Sequence, residues 1–238
     1  LAGADHAHGE LAETLAADKV ITGHYSIPET DRGLNAYVAC GVRCCHESTR
    51  AEDVLAKMRL GQYAQLRYGS AWLDLPQLAA AITETGIDTR FANLISDDTH
   101  PHTLVAEGHL DYILRMAVNL GIPVVAAIQM MTINTATCFR MEHELGSITP
   151  GKCADIVFLD NLEDLNVVRT MIDGDVVAEN GQITFDLAPF DYPDWVTHSM
   201  HLGCTITPDT FRVEAPTGIS DGDAVTVRAI ELLPGSVP

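Results

Sequence analysis

The sequence predicts an α/β fold in which part of a (β/α) barrel is followed by a smaller β segment. Short apolar runs alternate with helix-like stretches from the start of the chain to about Arg140, and this order of elements builds a parallel barrel sheet. From Gly146 onward, β-branched runs separated by glycine and proline replace the alternation, which indicates strands joined by tight turns. We therefore expect a barrel region over residues 1–145, a small β segment over 146–188 and a second β-rich region over 189–238.

The barrel region is predicted to contain four strands with helices between and after them. Helices are indicated by apolar residues three to four positions apart, as at Val54, Leu55 and Met58. Ser48 is the expected N-cap of the third helix, and the polar cluster in Asn134-Thr135-Ala136 is expected to end the last one. The predicted strands cover residues 19–23, 39–47, 62–68 and 91–96, and the predicted helices cover residues 9–17, 34–38, 48–59, 75–83, 101–120 and 123–132.

The β segment carries the strongest turn signals. Asp173-Gly174 lies between two β-branched runs and predicts a hairpin turn, and Asn180-Gly181 marks another turn. The predicted strands here cover residues 156–160, 167–172, 175–178 and 183–185. Further strands are predicted at residues 205–206, 211–213 and 224–230.

Charge and cysteine content limit the functions that the chain is expected to perform. The 238 residues include 33 acidic and 14 basic ones, so the formal net charge is −19. Such a surface repels phosphate backbones and anionic lipids, which argues against nucleic-acid and membrane partners. The six cysteines form no CxxC pair, no apolar run is long enough to span a membrane, and Leu1 does not begin a signal peptide. We therefore expect a cytoplasmic protein.

Three of the predicted strands end in side chains that can bind metal ions or transfer protons. His24 follows the first strand, His46 and Glu47 close the second, and Asp97 and Asp98 follow the fourth. Because parallel strands of successive βα units end at the same face of a sheet, we expect these side chains to converge. Imidazole and carboxylate ligands suit Mn, Fe or Zn. The alternative is a structural role, which is the commoner one for a single strand-end histidine.

Four other histidines are interpreted as surface residues. His6 and His8 have the spacing of an HxH metal motif, but no apolar strand precedes them to hold two imidazoles rigidly. An exposed helix start is therefore the favoured interpretation of this pair. His100 and His109 are assigned to surface or loop positions.

An ordered set of motifs resembles the amidohydrolase superfamily and, within it, the adenine deaminase family. In chain order the motifs are Gly23-His24, Cys45-His46-Glu47-Ser48, Ser96-Asp97-Asp98 with Pro101, Glu107-Gly108-His109-Leu110-Asp111, Gly146-Ser147-Ile148 with Pro150-Gly151-Lys152, and Ala154-Asp155-Ile156-Val157. The similarity runs from about Val20 to Gly181. It implies the C-terminal half of a (β/α)8 TIM-like metal-dependent hydrolase barrel, then a β-sandwich segment and the start of a C-terminal domain. It also implies a reaction of purine metabolism, the hydrolysis of adenine to hypoxanthine and ammonia.

The resemblance implies roles for the residues at the strand ends. His24, His46 and Asp97 would bind a divalent transition metal, Mn or Fe with Zn as the alternative, in a site that is binuclear if further ligands are supplied. Such a metal makes hydroxide available near neutral pH for attack on the purine. Asp97 would take up the proton, and Glu47 or Asp98 would return protons to the ring nitrogen and the leaving amine.

Three further residues, Arg67, Ser70 and Ser96, are expected to contact the purine substrate. Several of the implied roles have an alternative. Arg67 could equally pair with a structural carboxylate, Glu47 could orient a ligand instead of transferring protons, and Asp98 could cap the following helix.

The chain also departs from the family pattern. The first-strand HxH pair and the fourth-strand glutamate of the family are missing, so Leu1 would fall just after the fourth barrel strand. Arg67-Tyr68-Gly69-Ser70 lacks the glutamate that many relatives have at its second position. Two alternatives therefore stay open: a non-catalytic subunit or fragment of an amidohydrolase, and a hydrolase of another aminopurine or a cyclic amide. Because open strand edges favour association, we expect a homo-oligomer or a companion chain that carries the rest of the barrel.

Overall fold

The computed structural model describes residues 4–220 and 222–228 of the chain. These residues form two compact units that separate after Thr184. The finer division into regions 1–145, 146–188 and 189–238 stays a prediction.

The first unit contains a four-stranded parallel sheet. Its strands lie side by side in chain order as β1 (Ile21–Gly23), β2 (Val42–Cys45), β3 (Tyr63–Arg67) and β4 (Ala92–Ile95). The helices that precede, connect and follow them are α1 (Asp5–Ala16), α2 (Arg32–Ala39), α3 (Ala51–Arg59), α4 (Leu75–Leu78), α5 (Ala80–Thr83), α6 (Pro101–Ala106), α7 (Leu110–Asn119), α8 (Val124–Met131) and α9 (Ile133–Cys138), with a 3₁₀ turn at Thr89–Phe91. Parallel strands in chain order with intervening helices are the topology of part of a (β/α) barrel, so the predicted alternation is confirmed.

The main core lies between this sheet and the helices that pack on it. β3 is buried at all five of its positions. Its Ala64 and Leu66 side chains join the apolar core, whereas Gln65 and Arg67 are buried and polar. A strand that is buried along its whole length holds the residues at its end in fixed positions, which is what a site at the strand ends requires.

Several helices differ from the predicted ones. The first begins at Asp5 and not at residue 9, and the helix predicted over residues 75–83 is divided at Ala79 into α4 and α5. Ser48 is not the N-cap of α3, because the helix begins after Arg50 and the Ser48 hydroxyl instead accepts a hydrogen bond from Lys57. The single helix predicted over residues 101–120 is two helices, α6 and α7, because the chain turns at Gly108 with a φ of +113°.

The polar cluster at residues 134–136 does not end the helical region. After a break at Thr132, the chain continues as α9. Asn134 donates hydrogen bonds to the carbonyls of Thr89 and Ala92, and Asn93 donates one to the Thr135 hydroxyl. These tertiary contacts satisfy the polar side chains that otherwise favour a helix end.

A second, antiparallel sheet completes the first unit. It consists of β5 (Ile156–Leu159), β6 (Val167–Ile172), β7 (Asp175–Glu179) and β8 (Gln182–Ile183) in that order. The predicted hairpin turn is confirmed, with positive φ at Asp173 and Gly174. The described residues of this segment form one antiparallel sheet, so the β-sandwich stays a prediction.

The second unit contains only short helical segments among its described residues. These are α10 (Asp194–Thr197) and a 3₁₀ turn at Pro208–Phe211. The strands predicted at residues 205–206, 211–213 and 224–228 are wrong, and residues 229–230 lie outside the described part. Strand-like composition forms a strand only where a neighbouring strand satisfies its backbone groups. Across all described residues, no helix has both the length and the apolar character needed to cross a bilayer.

Candidate metal and catalytic site

The carboxyl ends of the four parallel strands bring the predicted site residues to one edge of the sheet. His24 directly follows β1, and His46 and Glu47 directly follow β2. Arg67 is the last residue of β3, and Asp97 lies two residues beyond the end of β4. The expected convergence of polar side chains is therefore observed in the structure.

Two imidazoles and one carboxylate form a compact group at this edge. The His24 Nδ1 atom lies 3.3 Å from Glu47 Oε1, and His46 Nε2 lies 3.6 Å from the same oxygen. The two rings meet edge to face with centroids 4.3 Å apart. Within the part of the chain that the structure describes, this is the only group of three potential ligands whose donor atoms all lie within 4.8 Å of one another.

Asp97 borders this group without belonging to it. Its Oδ1 atom lies 3.8 Å from His46 Nε2, and its Oδ2 atom accepts a hydrogen bond from Arg67. Asp97 has a φ of +62°, a left-handed conformation that is unusual for a residue other than glycine. The backbone therefore turns sharply here and presents the carboxylate at the sheet edge.

Arg67 is buried beneath the group and bonded to carboxylates on two sides. Its Nη1 donates to Glu47 Oε1 at 2.8 Å and to Asp97 Oδ2 at 3.1 Å, and its Nε donates to Asp74 Oδ2 at 2.7 Å. The guanidinium also stacks over Trp72, with its Cζ 5.3 Å from the ring centroid. These contacts match the alternative in which Arg67 pairs with carboxylates. Contact with the substrate stays a prediction.

Donor type and protonation both suit a divalent cation. Burial lowers the pKa of His46, as do His24 and Arg67, against an opposite effect of Asp97 and Glu47. The imidazole is therefore neutral at pH 7, the form that binds metals. Three carboxyl side chains, Glu47, Asp97 and Asp74, contact the one guanidinium of Arg67. Imidazole nitrogens together with carboxylate oxygens form a donor set that fits a divalent transition metal.

Asp98 supports the loop that follows β3. Its carboxylate accepts backbone hydrogen bonds from Ala71 at 2.7 Å and Trp72 at 3.2 Å. Gly69 lies so close to the Asp98 backbone that a Cβ at this position would overlap it. Asp98 does not cap α6, whose N-cap is His100. Its acid role is untested and stays a prediction.

The two serines expected to contact substrate lie in the loops after β3 and β4. Ser70 Oγ donates to the Thr103 hydroxyl at 2.8 Å. Ser96 Oγ lies 3.2 Å from His109 Nε2, next to a small cleft that Thr99 also lines. Their contact with a purine stays a prediction.

Two buried polar residues near the site were not predicted from the sequence. Asp74 precedes Leu75-Pro76, a pattern typical of a helix start, and nothing in the sequence indicated its bond to Arg67. Lys57 is 1% exposed and donates to Ser48 Oγ at 2.8 Å and to the Tyr25 carbonyl at 3.2 Å. It thereby joins the loops that follow β1 and β2. The sequence feature that could have indicated its burial is the position of Lys57 among the apolar residues on one face of α3.

A model of the amidohydrolase family matches residues 6–177, most of the chain. The chain belongs to the amidohydrolase family. Two adenine deaminases are close relatives of this amidohydrolase: that of Clostridium botulinum (strain ATCC 19397 / Type A) is 58% identical over 233 residues, and that of Moorella thermoacetica is 48% identical over 237 residues. These matches cover 98% and 100% of this chain but only 38% and 39% of the relatives. The chain therefore spans about two fifths of their length.

Two solved structures share the fold at low identity. A β-aspartyl dipeptidase from Fervidobacterium islandicum AW-1 aligns with a TM-score of 0.57 at 15% identity, over 76% of this chain and 53% of that one. Molinate hydrolase aligns with a TM-score of 0.56 at 17% identity, over 83% and 49%. In both cases the chain corresponds to about half of the larger protein. The similarity supports a partial barrel and says nothing about substrate.

Proposed function

We propose that this amidohydrolase chain supplies the distal half of the site of a metal-dependent adenine deaminase, which hydrolyses adenine to hypoxanthine and ammonia. The observation that carries the proposal is the group of His24, His46 and Glu47 at the strand ends, in a chain 58% identical to an adenine deaminase. Fold similarity alone would leave the substrate open.

In this proposal His24, His46, Glu47 and Asp97 hold the metal. Mn or Fe is the expected ion, with Zn as the alternative, because these metals accept imidazole together with carboxylate. When bound, the metal acts as a Lewis acid and makes a nucleophile available from water near neutral pH. The site would become binuclear if the rest of the protein supplies further ligands.

In this proposal Asp97 accepts a proton from the attacking water. Its Oδ2 is held by Arg67 at 3.1 Å, which leaves Oδ1, 3.8 Å from His46 Nε2, to take up a proton from the attacking water. The protons must then reach the ring nitrogen and the leaving amine, so that ammonia departs as a neutral molecule. Glu47 and Asp98 stay the proposed acids for that step: Asp98 where Glu47 binds the metal, since a metal-bound carboxylate carries no proton, and Glu47 where His24, His46 and Asp97 alone bind it.

The purine would bind on the open side of the sheet edge, beside Ser70 and Ser96. Both hydroxyls lie in loops that follow strands carrying site residues. The remaining ligands would come from a longer polypeptide, a companion chain or another copy of this chain. The low share of the relatives' length that the chain covers supports this part of the proposal.

The test is a chimera in which this chain replaces the matched 233-residue segment of the Clostridium botulinum relative. The purified chimera is supplied with Mn²⁺, and ammonia and hypoxanthine are measured after addition of adenine. We expect both products in equal amounts, because water replaces the amino group without any other co-reactant. The purified chain alone, with its polypeptide content verified, is assayed in parallel.

A folded, metal-loaded chimera that leaves adenine unchanged would overturn the proposal. Other aminopurines and cyclic amides are assayed in the same preparation, since turnover of one of these in place of adenine identifies the related hydrolase instead. Activity of the chimera without activity of the chain alone would show that the missing ligands are essential.

A further inference from the structure

Arg67 links three carboxylates through two of its nitrogen atoms. Nε donates to Asp74 at 2.7 Å, and Nη1 donates to Glu47 at 2.8 Å and to Asp97 at 3.1 Å. The side chains of Arg67 and Asp74 are each 2% exposed, whereas that of Asp97 is 25% exposed. One guanidinium therefore connects a buried anchor to two carboxylates at the site.

We propose that Arg67 and Asp74 are a positioning pair, in which Asp74 fixes the guanidinium and the guanidinium holds Glu47 and Asp97 in the orientation that binds the divalent metal. The inference rests on the proposed metal site and is independent of which substrate is hydrolysed. It gives Arg67 a positioning role, in place of the contact with the substrate that the sequence predicts.

The shape of the guanidinium explains why this pair can control two carboxylates. The group is planar and rigid, so a hydrogen bond that fixes Nε also fixes the direction of the two N–H bonds on Nη1. Each of these N–H bonds meets a different carboxylate. The Trp72 ring on one face of the guanidinium restricts rotation further. A lysine has the same charge but no fixed angle between its donors, and it cannot reproduce this geometry.

The burial of Arg67 favours the positioning role over direct contact with the substrate. A side chain that is 2% exposed has no free donor at the surface of the site, and both outward bonds of Nη1 already end on carboxylates. The remaining nitrogen, Nη2, is buried and has no hydrogen-bond partner among the described residues. An unsatisfied buried donor destabilises a fold. The position of the Arg67 guanidinium is therefore not explained by a gain in stability.

The test compares the Mn²⁺ affinity of the wild type with that of Arg67→Lys, Asp74→Asn and the double variant. Affinity is measured by isothermal titration calorimetry on the full chain and on the complete-length chimera, without any substrate. Loss of a residue that orients metal ligands weakens binding about 10- to 100-fold, and we expect this for each single variant. The double variant should bind no more weakly than Arg67→Lys, because Asp74 acts through Arg67.

Arg115 and Asp111 provide the matched control. They form an ion pair of the same type within α7, with Arg115 Nη2 2.9 Å from Asp111 Oδ2. Arg115→Lys and Asp111→Asn should leave the Mn²⁺ affinity unchanged. Thermal unfolding of every variant shows that it is folded, and Asp74→Asn carries the test if Arg67→Lys does not fold.

Mn²⁺ affinity within twofold of the wild type in a folded Arg67→Lys or Asp74→Asn variant would overturn the inference. A raised KM for adenine at saturating Mn²⁺, with unchanged metal affinity, would return Arg67 to substrate binding. If the chimera fails to release ammonia while the metal affinities change as expected, only adenine as the substrate is excluded and the positioning pair stands.

Discussion

The two sheets of the first unit contain similar residue types in different surroundings. β3 of the parallel sheet is buried at all five positions, whereas β5 of the antiparallel sheet has no fully buried position. Arg67 at the end of β3 is 2% exposed and bonds three carboxylates, whereas Arg169 in β6 is 46% exposed and pairs with Glu179 alone. A hydrogen bond is stronger where water is excluded, so one buried polar group can fix the orientation of another.

Two lysines differ in burial in the same way. Lys57 and Lys152 each donate to a serine hydroxyl and a backbone carbonyl, but Lys57 is buried, whereas Lys152 is only half-buried in the segment before β5. Only the parallel sheet brings such contacts to the ends of several strands at once. The comparison predicts that equivalent substitutions have large effects in the first sheet and small effects in the second.

The largest effect is expected on catalysis. His46→Ala or Asp97→Asn in the chimera should lower ammonia release from adenine about 10²- to 10⁴-fold, because each removes a group proposed to hold the metal or accept a proton. Steady-state kcat/KM values for both variants check this. His143→Ala and Asp88→Asn change exposed residues of the same types and should keep full activity. Full activity of both site variants would eliminate the site assignment.

The next effect concerns packing. Leu66→Ala in β3 should destabilise the protein by about 2–5 kcal/mol, because Leu66 is fully buried and its truncation leaves a cavity. Val157→Ala in β5 should cost less than about 0.5 kcal/mol, since Val157 is 55% exposed. Urea denaturation of the two variants measures the difference. Equal losses would mean that the second sheet also depends on tight packing.

The sequence was sufficient to predict the parallel sheet and the strand ends that meet. Strand-like segments end at His24, His46 and Asp97, and parallel topology brings such ends together whatever the details of packing. The hairpin at Asp173-Gly174 was also predictable, because its turn depends on local conformation.

Contacts between distant residues were not predictable. The bond from Asp74 to Arg67 depends on the direction of two buried side chains, and a helix cap was an equally good local interpretation of Asp74. The break between α6 and α7 had a signal in Gly108, but the apolar spacing continued on both sides of it. In the second unit, β-like composition gave no strands because composition cannot show whether a pairing partner is present.

A smaller effect is expected from the two lysines. Lys57→Met should destabilise the protein by about 1–3 kcal/mol, because it leaves the Ser48 hydroxyl and the Tyr25 carbonyl buried without their donor. Lys152→Met removes the same kinds of bond near the surface and should change stability by less than about 0.5 kcal/mol, since water can replace the donor. The measurement is again the free energy of unfolding in urea. A neutral Lys57→Met would show that the loops after β1 and β2 are held by other contacts.

The smallest effect is expected at Arg169. It pairs with Glu179 across β6 and β7 and stacks over Phe158, with its Cζ 5.9 Å from the ring centroid, but both charged side chains are more than 40% exposed. Exposed pairs contribute about 0.2–1 kcal/mol, and salt screens them. Arg169→Ala should therefore lower stability by at most about 1 kcal/mol, less in high salt, and leave the Mn²⁺ affinity unchanged. A loss as large as that of Leu66→Ala, or one that persists in high salt, would mean that exposure does not explain the difference between the two sheets.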